Sequence, residues 1–361
     1  MAESYKIEYF LGANSPGGFY SLYSELLPPE TANAIYIIKG GPGCGKSTLM
    51  RQVAAQAAQA GETVEYILCS GDPDSLDGVV LPRLKVALVD GTAPHVIEPR
   101  YPGLVEQYVN LGDCYDREGL QEVREELQSC MVGYKEHYQR AYRCLGAAAE
   151  IREDLREVLL TGELEERLAK RARGIIRREL KPRPGGRTGQ VKQRFLGAVS
   201  HQGVLELYDT VAAQCTRVFE LSDRYGLAHS LLSHLLTGAV MGGYDVVACP
   251  DPMAPDRLAH LLVPELGLAF VSSSPDNPYP RMPARRLRLD SMVDKDVLSR
   301  CRPRLRFSLK VSNALVEEAV DSLAQAKAMH DDLEELYHLY VDFDRGSRVG
   351  EKIAREILDL T

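Results

Sequence analysis

One stretch constrains this chain more than any other: Gly40-Gly41-Pro42-Gly43-Cys44-Gly45-Lys46-Ser47-Thr48. It follows Ala34-Ile35-Tyr36-Ile37-Ile38-Lys39, a short apolar run rich in β-branched residues that reads as a buried strand. It precedes a segment of strong helix formers in which Leu49, Val53 and Ala57 stand four apart, as one face of a helix would. Gly-x4-Gly-Lys-Ser between a strand and a helix is the Walker A pattern in the context it needs. Gly41, Gly43 and Gly45 would let the backbone, with Pro42 and Cys44, wrap a phosphate with its N–H groups pointing inward. Lys46 would reach the β- and γ-phosphates, Ser47 would hold Mg²⁺, and Thr48 would complete the cradle where the helix N-terminus is positive. The expected ligand is a nucleoside triphosphate, ATP or GTP, with Mg²⁺.

The opening, from Tyr9 to Leu27, reads as a strand, a turn and a short helix, broken by Pro28 and Pro29. Thr63 to Cys69 reads as a second strand, and 70–80 as an acidic loop. Leu84 to Asp90 is an apolar run ending in a carboxylate. Strands alternating with helices predict a parallel sheet with right-handed crossovers, and ligands of such sheets lie at the carboxyl ends of the strands. Asp90 then takes the Walker B position, holding the metal opposite Ser47. Asp72, Asp74 and Asp77 in the loop, and His95 beyond Asp90, are candidates to position water or accept a proton. Capping aspartates in an acidic turn are an equally good account of each one singly. Arg51, Arg83 and Arg100 are candidate transition-state cations. An extra strand between the two Walker strands would mark the hydrolysing class of such proteins, and its absence a kinase-like arrangement.

With 361 residues the chain is too long for one ordinary core, so two domains are expected. A net charge of -8 opposes bulk electrostatic binding to nucleic acid. The first residues carry no basic start with an apolar block, no run approaches the length of a membrane span, and the eight cysteines stand singly. A cytoplasmic protein with reduced thiols is the expectation. Cys44, inside the loop, is the one thiol whose oxidation could block binding.

From Glu118 to Leu160 apolar residues recur every three or four positions, and 163–181 continues as a charged helix. The pair predicts a helical hairpin, about 116–181, projecting from the first domain. Tyr134, Tyr138 and Tyr142 on it read as core packing. The stretch 167–194 is basic against the single acid Glu179, with a Pro/Gly-rich linker at 182–189. A nucleic acid or acidic protein could dock there, although a solvated helix face is the better reading.

A repeat reorganises the picture. Phe195-Leu196-Gly197-Ala198 repeats Phe10-Leu11-Gly12-Ala13, Tyr208 matches Tyr23, and Ala269-Phe270-Val271 matches Ala87-Leu88-Val89. Farther on, Asp332-Leu333 matches Asp154-Leu155. The expectation is two tandem P-loop-type α/β domains: 1–190, and a degenerate copy at 191–361 ending in its own helical excursion at about 294–360. Aligned this way, Lys46 falls on Ala228 and Asp90 on Ser272, while Tyr225 and Leu227 replace glycines. The second copy is then structural or regulatory, or lends a residue to the first site.

The Walker stretch, Ser70-Gly71-Asp72-Pro73-Asp74-Ser75-Leu76-Asp77-Gly78, Asp90-Gly91-Thr92-Ala93-Pro94-His95 and the repeated Phe-Leu-Gly-Ala together resemble a bacterial family of tandem-domain P-loop ATPases. Members are labelled ATPase or nucleotide kinase by motif, without an assigned substrate. The resemblance implies a phosphate loop in each half, from which this second half departs. The first expectation is a Mg²⁺-dependent ATPase using Lys46, Ser47, Thr48 and Asp90, coupling nucleotide state to a protein or small-molecule partner. A kinase in which Asp72 or Asp74 orients the acceptor, and a nucleotide-gated binding module without turnover, are the alternatives.

Overall fold

The computed structural model describes residues 5–360. The first half runs β1 (Ile7–Phe10), β2 (Gly12–Ser15), β3 (Gly18–Ser21), β4 (Ala34–Lys39), α1 (Lys46–Gln59), β5 (Glu65–Leu68), β6 (Leu76–Leu81), β7 (Val86–Asp90), β8 (Glu106–Asn110), α2 (Gly119–Glu122), α3 (Arg124–Leu159) and α4 (Gly162–Glu179). The second runs β9 (Val191–Gln193), β10 (Gly197–Ser200), β11 (Gly203–Glu206), α5 (Tyr208–Gln214), β12 (Arg217–Ser222), α6 (Ala228–Met241), β13 (Val246–Asp251), β14 (Ala254–Val263), β15 (Leu268–Ser273), β16 (Arg285–Arg288), α7 (Lys295–His338) and α8 (Phe343–Leu358).

The protein is α/β, with two six-stranded mixed sheets ordered β1-β5-β6-β7-β4-β8 and β9-β13-β14-β15-β12-β16. These are one topology twice. The duplication reaches detail: the irregular register in β5–β6, where Leu68 meets Leu76, recurs in β13–β14, where Pro250 meets Leu258. The left-handed turn residue Lys85 (φ 53°) recurs as Gly267 (φ 56°). Equivalent residues also meet each other. Phe10 and Phe195 exchange backbone hydrogen bonds of 2.9 and 3.0 Å, so a pseudo-two-fold axis passes between them. Arg194, with no exposed surface, spans this junction from Glu65 (2.6 Å) to the carbonyls of Glu25 (2.6 Å) and Leu26 (3.0 Å).

Several expectations change. The sheets are not purely parallel, because β6 runs antiparallel to both β5 and β7. The connection 82–85 is too short for a crossover and makes a hairpin instead. The acidic loop therefore ends at Ser75, and Asp77 lies within β6, every residue of which is buried. The opening forms the hairpin β2–β3 and a single 3-10 turn at Tyr23–Glu25 in place of a short helix. β4 pairs directly with β7, so no strand separates them. No described helix is long and apolar enough to cross a membrane.

The excursions do not project as hairpins; they are exchanged. α3 and α7 pack along each other, with Ala141, Leu145 and Ala148 facing Val316, Ala319 and Leu323. Small side chains there let the two axes approach closely, while Tyr138 and Tyr142 pack beside them. α4 then lies on α6, and its Leu164, Leu168, Ala172 and Ile175 complete the second core. α8 lies on α1, and its Ile353, Ala354 and Ile357 complete the first. Each sheet is thus closed by the other half's arm. The basic linker is docked as well: Arg187 pairs with Asp245 at 2.7 Å, and Arg183 pairs with Glu265.

Candidate functional site

The loop 40–45 joins β4 to α1. Gly43 (φ 67°) and Gly45 (φ 84°) are both left-handed, a region that side chains rarely occupy. Lys46 folds back over the loop, donating to the carbonyls of Gly40 (3.0 Å) and Gly41 (2.9 Å). Its Nζ stands 3.5 Å from Asp90 Oδ2, because β7 lies beside β4 in register and delivers Asp90 opposite Ile38. Asp90 Oδ1 accepts from the Thr92 amide (2.8 Å) and hydroxyl (2.6 Å), which fixes the carboxylate. Ser47 Oγ accepts the Leu76 amide at 2.9 Å. Lys46, at the start of α1, is therefore brought to Asp90 at the end of β7, while Ser47 faces the start of β6, the strand beside β7.

The other candidates scatter. Asp77 is buried beside this group, accepts from the Tyr23 hydroxyl (2.7 Å), and lies 3.4 Å from His95 Nε2. Burial pushes its carboxyl above the usual range, opposed by His95. His95 Nδ1 is buried with no partner among the described residues. Asp72 accepts the Ser75 hydroxyl (2.8 Å) and faces Lys327 at 3.6 Å, and Asp74 reaches Gln202 of the second half at 3.1 Å. Arg51 binds the carbonyl of Asp74, Arg83 pairs with Glu62, and Arg100 lies 3.4 Å from Glu30. Arg83 and Arg100 are thus engaged by acids outside the loop. Thr48 is exposed at the start of α1. Cys44 differs from its expectation as a reactive thiol: burial pushes it up, and a protonated, covered thiol is a poor nucleophile.

The exchanged arm supplies what reading the chain in order missed. Glu334 of α7 accepts the Gly43 amide at 3.2 Å. A Cβ added at Gly43 would lie 2.9 Å from His338 and 3.0 Å from the Glu334 carbonyl, and one at Gly45 would touch Phe343. Tyr115 donates to the Pro42 carbonyl at 2.8 Å, and the turn after α7 is tied down where the Asp342 amide donates to Cys114 O at 2.8 Å. The Gly43 amide thus points outward from the loop to a carboxylate oxygen, and the Ser47 hydroxyl and Asp90 carboxylate are oxygen ligands of the type that hard cations take. His330, Asp331 and Glu334 also place ligand atoms within 4.8 Å of one another. No local pattern in the sequence points to this contact; the match of Asp332-Leu333 to Asp154-Leu155 makes Glu334 the counterpart of Arg156 and no more.

The second copy repeats the framework with different chemistry. Its loop, 223–227, is one residue shorter than 40–45, and α6 starts at Ala228 where α1 starts at Lys46. The Asp223 carboxylate accepts the amides of Ala228 (2.7 Å) and Tyr225 (3.1 Å), filling the loop from within. Burial pushes Asp223 up to about 6, opposed by these amides. His229 stands where Ser47 does, and its Nδ1 accepts the Leu258 amide (3.0 Å) as Ser47 accepts that of Leu76. Arg156 from α3 reaches over Gly226 as Glu334 reaches over Gly43.

The fold and site thus define a duplicated α/β protein with one glycine-rich strand–loop–helix site and one altered copy. Residues 21–166, which hold that loop and Asp90, match the family model described as Nephrocystin 3, N-terminal. No curated protein and no solved structure matches the chain.

Proposed function

We propose that the chain is a Mg²⁺-dependent nucleoside-triphosphate-binding protein of the tandem P-loop kind, a cytoplasmic ATPase with its one working site at 40–48. What supports this is the meeting of Lys46 with Asp90 beside a loop with two left-handed glycines, with Ser47 next in the chain. The loop amides and Lys46 would bind the phosphates, and Ser47 and Asp90 would hold the metal, which supplies charge neutralisation on the phosphate oxygens. Asp77, next to Asp90 and with its carboxyl raised by burial against the opposing His95, is the carboxyl best set to exchange a proton there. Glu334 and a terminal phosphate would compete for the same loop, so binding would move the end of α7. Because α7 also packs in the second core through Leu305, nucleotide state would reach the second half. ATP and GTP remain the two candidate nucleotides.

Direct β4–β7 pairing favours a second reading, phosphoryl transfer to a small acceptor. Phosphate release dependent on Mg²⁺ and lost in Lys46→Ala supports hydrolysis. Release seen only with an added acceptor supports transfer, and equal release by Lys46→Ala removes both.

A further inference from the structure

We infer that the cleft of the second copy is a binding site for a small, oxyanion-bearing metabolite, in which the ligand's phosphate or carboxylate group takes the place of the Glu153 side chain between Arg156 and Arg257. The cleft encloses about 530 Å³, the size of a metabolite site, and occupies the position that the Walker loop and Asp90 hold in the first copy. It cannot serve a triphosphate in the way the first loop would. Asp223 already takes the loop amides, Ser272 stands where Asp90 does, and Ala228 has no cation.

The cleft is lined by carboxylates as well as by arginines, but its buried donors and acceptors are not equally engaged. Its buried acceptors are spent: Asp223 on the loop, Asp251 on the Met253 amide (2.8 Å), and Glu206 on His260 (3.1 Å). Its donors are not. Asn277 Nδ2 is buried in the wall with no partner among the described residues. Arg152 donates to two neutral oxygens, Ser312 Oγ at 2.9 Å and Asn313 Oδ1 at 3.3 Å, and its charge is felt by Asp251. Arg156 is 8% exposed and is lowered by burial and by the like charge of Arg257. His229, its Nδ1 bonded to the Leu258 amide, carries its neutral-state proton on Nε2, and burial and the same two arginines lower it.

Carboxylates relieve this crowding of cations: Asp256 acts on both Arg156 and His229, Glu157 acts on Arg156, and Glu153 touches Arg156 directly. Glu153 also accepts from Arg257 Nη2 at 3.2 Å, while its own side chain is 42% exposed. Two guanidiniums that clasp the Glu153 carboxylate would clasp an external carboxylate or phosphate in the same way. Glu153, with the most exposed side chain of the three, can swing to solvent, whereas Arg156 on the same helix is held by burial and Arg257 is partly covered.

The test uses the full chain carrying Lys46→Ala, so that the first loop does not contribute, titrated calorimetrically with inorganic phosphate and separately with citrate. We expect saturable binding of at least one probe. Glu153→Gln should tighten it about tenfold, because it removes the competing charge but keeps the side chain's volume. Arg257→Ala should weaken it by at least about tenfold. Preference for phosphate assigns a phosphorylated metabolite, and preference for citrate a polycarboxylate. No saturable binding of either probe to the folded chain overturns the inference. So does Glu153→Gln binding no tighter than its parent, an outcome that does not require the arginine variant to fold.

Discussion

Replacing Glu334 by Gln removes the charge that the second half places on the first loop, without changing the side chain's size. In the structure its carboxylate accepts the Gly43 amide at 3.2 Å, near the long end of the hydrogen-bond range, from a half-buried position. A hydrogen bond to a charged group is worth about 1.5–3 kcal/mol, and this long, partly solvated one about 1 kcal/mol. A triphosphate bound at Lys46 must break that bond and push the carboxylate away. Glu334→Gln should therefore lower the Kd for a magnesium–nucleotide analogue about fivefold. Screening by salt should shrink the difference, since part of it is repulsion between carboxylate and phosphate. The assay is calorimetric titration of the natural chain, Glu334→Gln and Lys46→Ala with a non-hydrolysable analogue. Equal or weaker binding by Glu334→Gln, while Lys46→Ala binds nothing, would refute the gating argument and leave nucleotide binding intact.

Arg194→Ala leaves Glu65 buried with Lys192 alone and cuts the junction between the halves, so unfolding stability should fall by about 3–5 kcal/mol in a denaturant titration. Burial works to raise the Glu65 carboxyl, but Arg194 and Lys192 hold it below the ordinary value. That contribution should be present at neutral pH and fade as pH drops below about 4.5. Asp223 has the opposite sign: with its folded value raised to about 6, it favours folding while protonated, and that contribution is lost as pH rises through about 6. Asp223→Asn should flatten this stability loss of about 3 kcal/mol, read from denaturation midpoints across the range. Lys85→Gly should raise stability by about 0.5 kcal/mol, because it releases a left-handed side chain at the turn where the second copy already has Gly267.

The strand–loop–helix at 34–59 was legible because the signals agreed: β-branched residues, glycines at left-handed positions, and a helix former at every fourth site. The duplication was legible from scattered identities, since each copy had to keep the residues that hold one topology. Asp90 was legible because an apolar run ending in a carboxylate places that group at a strand end. Three features were not. The antiparallel β6 escaped because Asp72, Asp74 and Asp77 made 70–80 resemble a polar loop, whereas Asp77 is satisfied inside by Tyr23 and His95. The exchange of arms escaped because amphipathic periodicity shows that a helix buries one face but not which core receives it. For the same reason Glu334 lay nearly 300 residues from the loop it touches, beyond the reach of any local pattern.

The two loops explain one another through charge. A loop that presents its amides wants an anion, and each copy of this chain supplies one from its own side chains. The second copy does so permanently, with Asp223 five residues before the amide of Ala228 in the same tight turn, so its anion cannot leave without rebuilding the turn. The first does so from a distance, with Glu334 at the end of a 44-residue helix, so its anion can be displaced by moving an arm. The residues facing each loop from the exchanged arms follow suit: an acid opposite the loop that keeps Lys46, and Arg156 opposite the loop that keeps Asp223. A fold with two equivalent clefts thereby places opposite charges over its two loops, and the helices that carry them, α3 and α7, pack along each other.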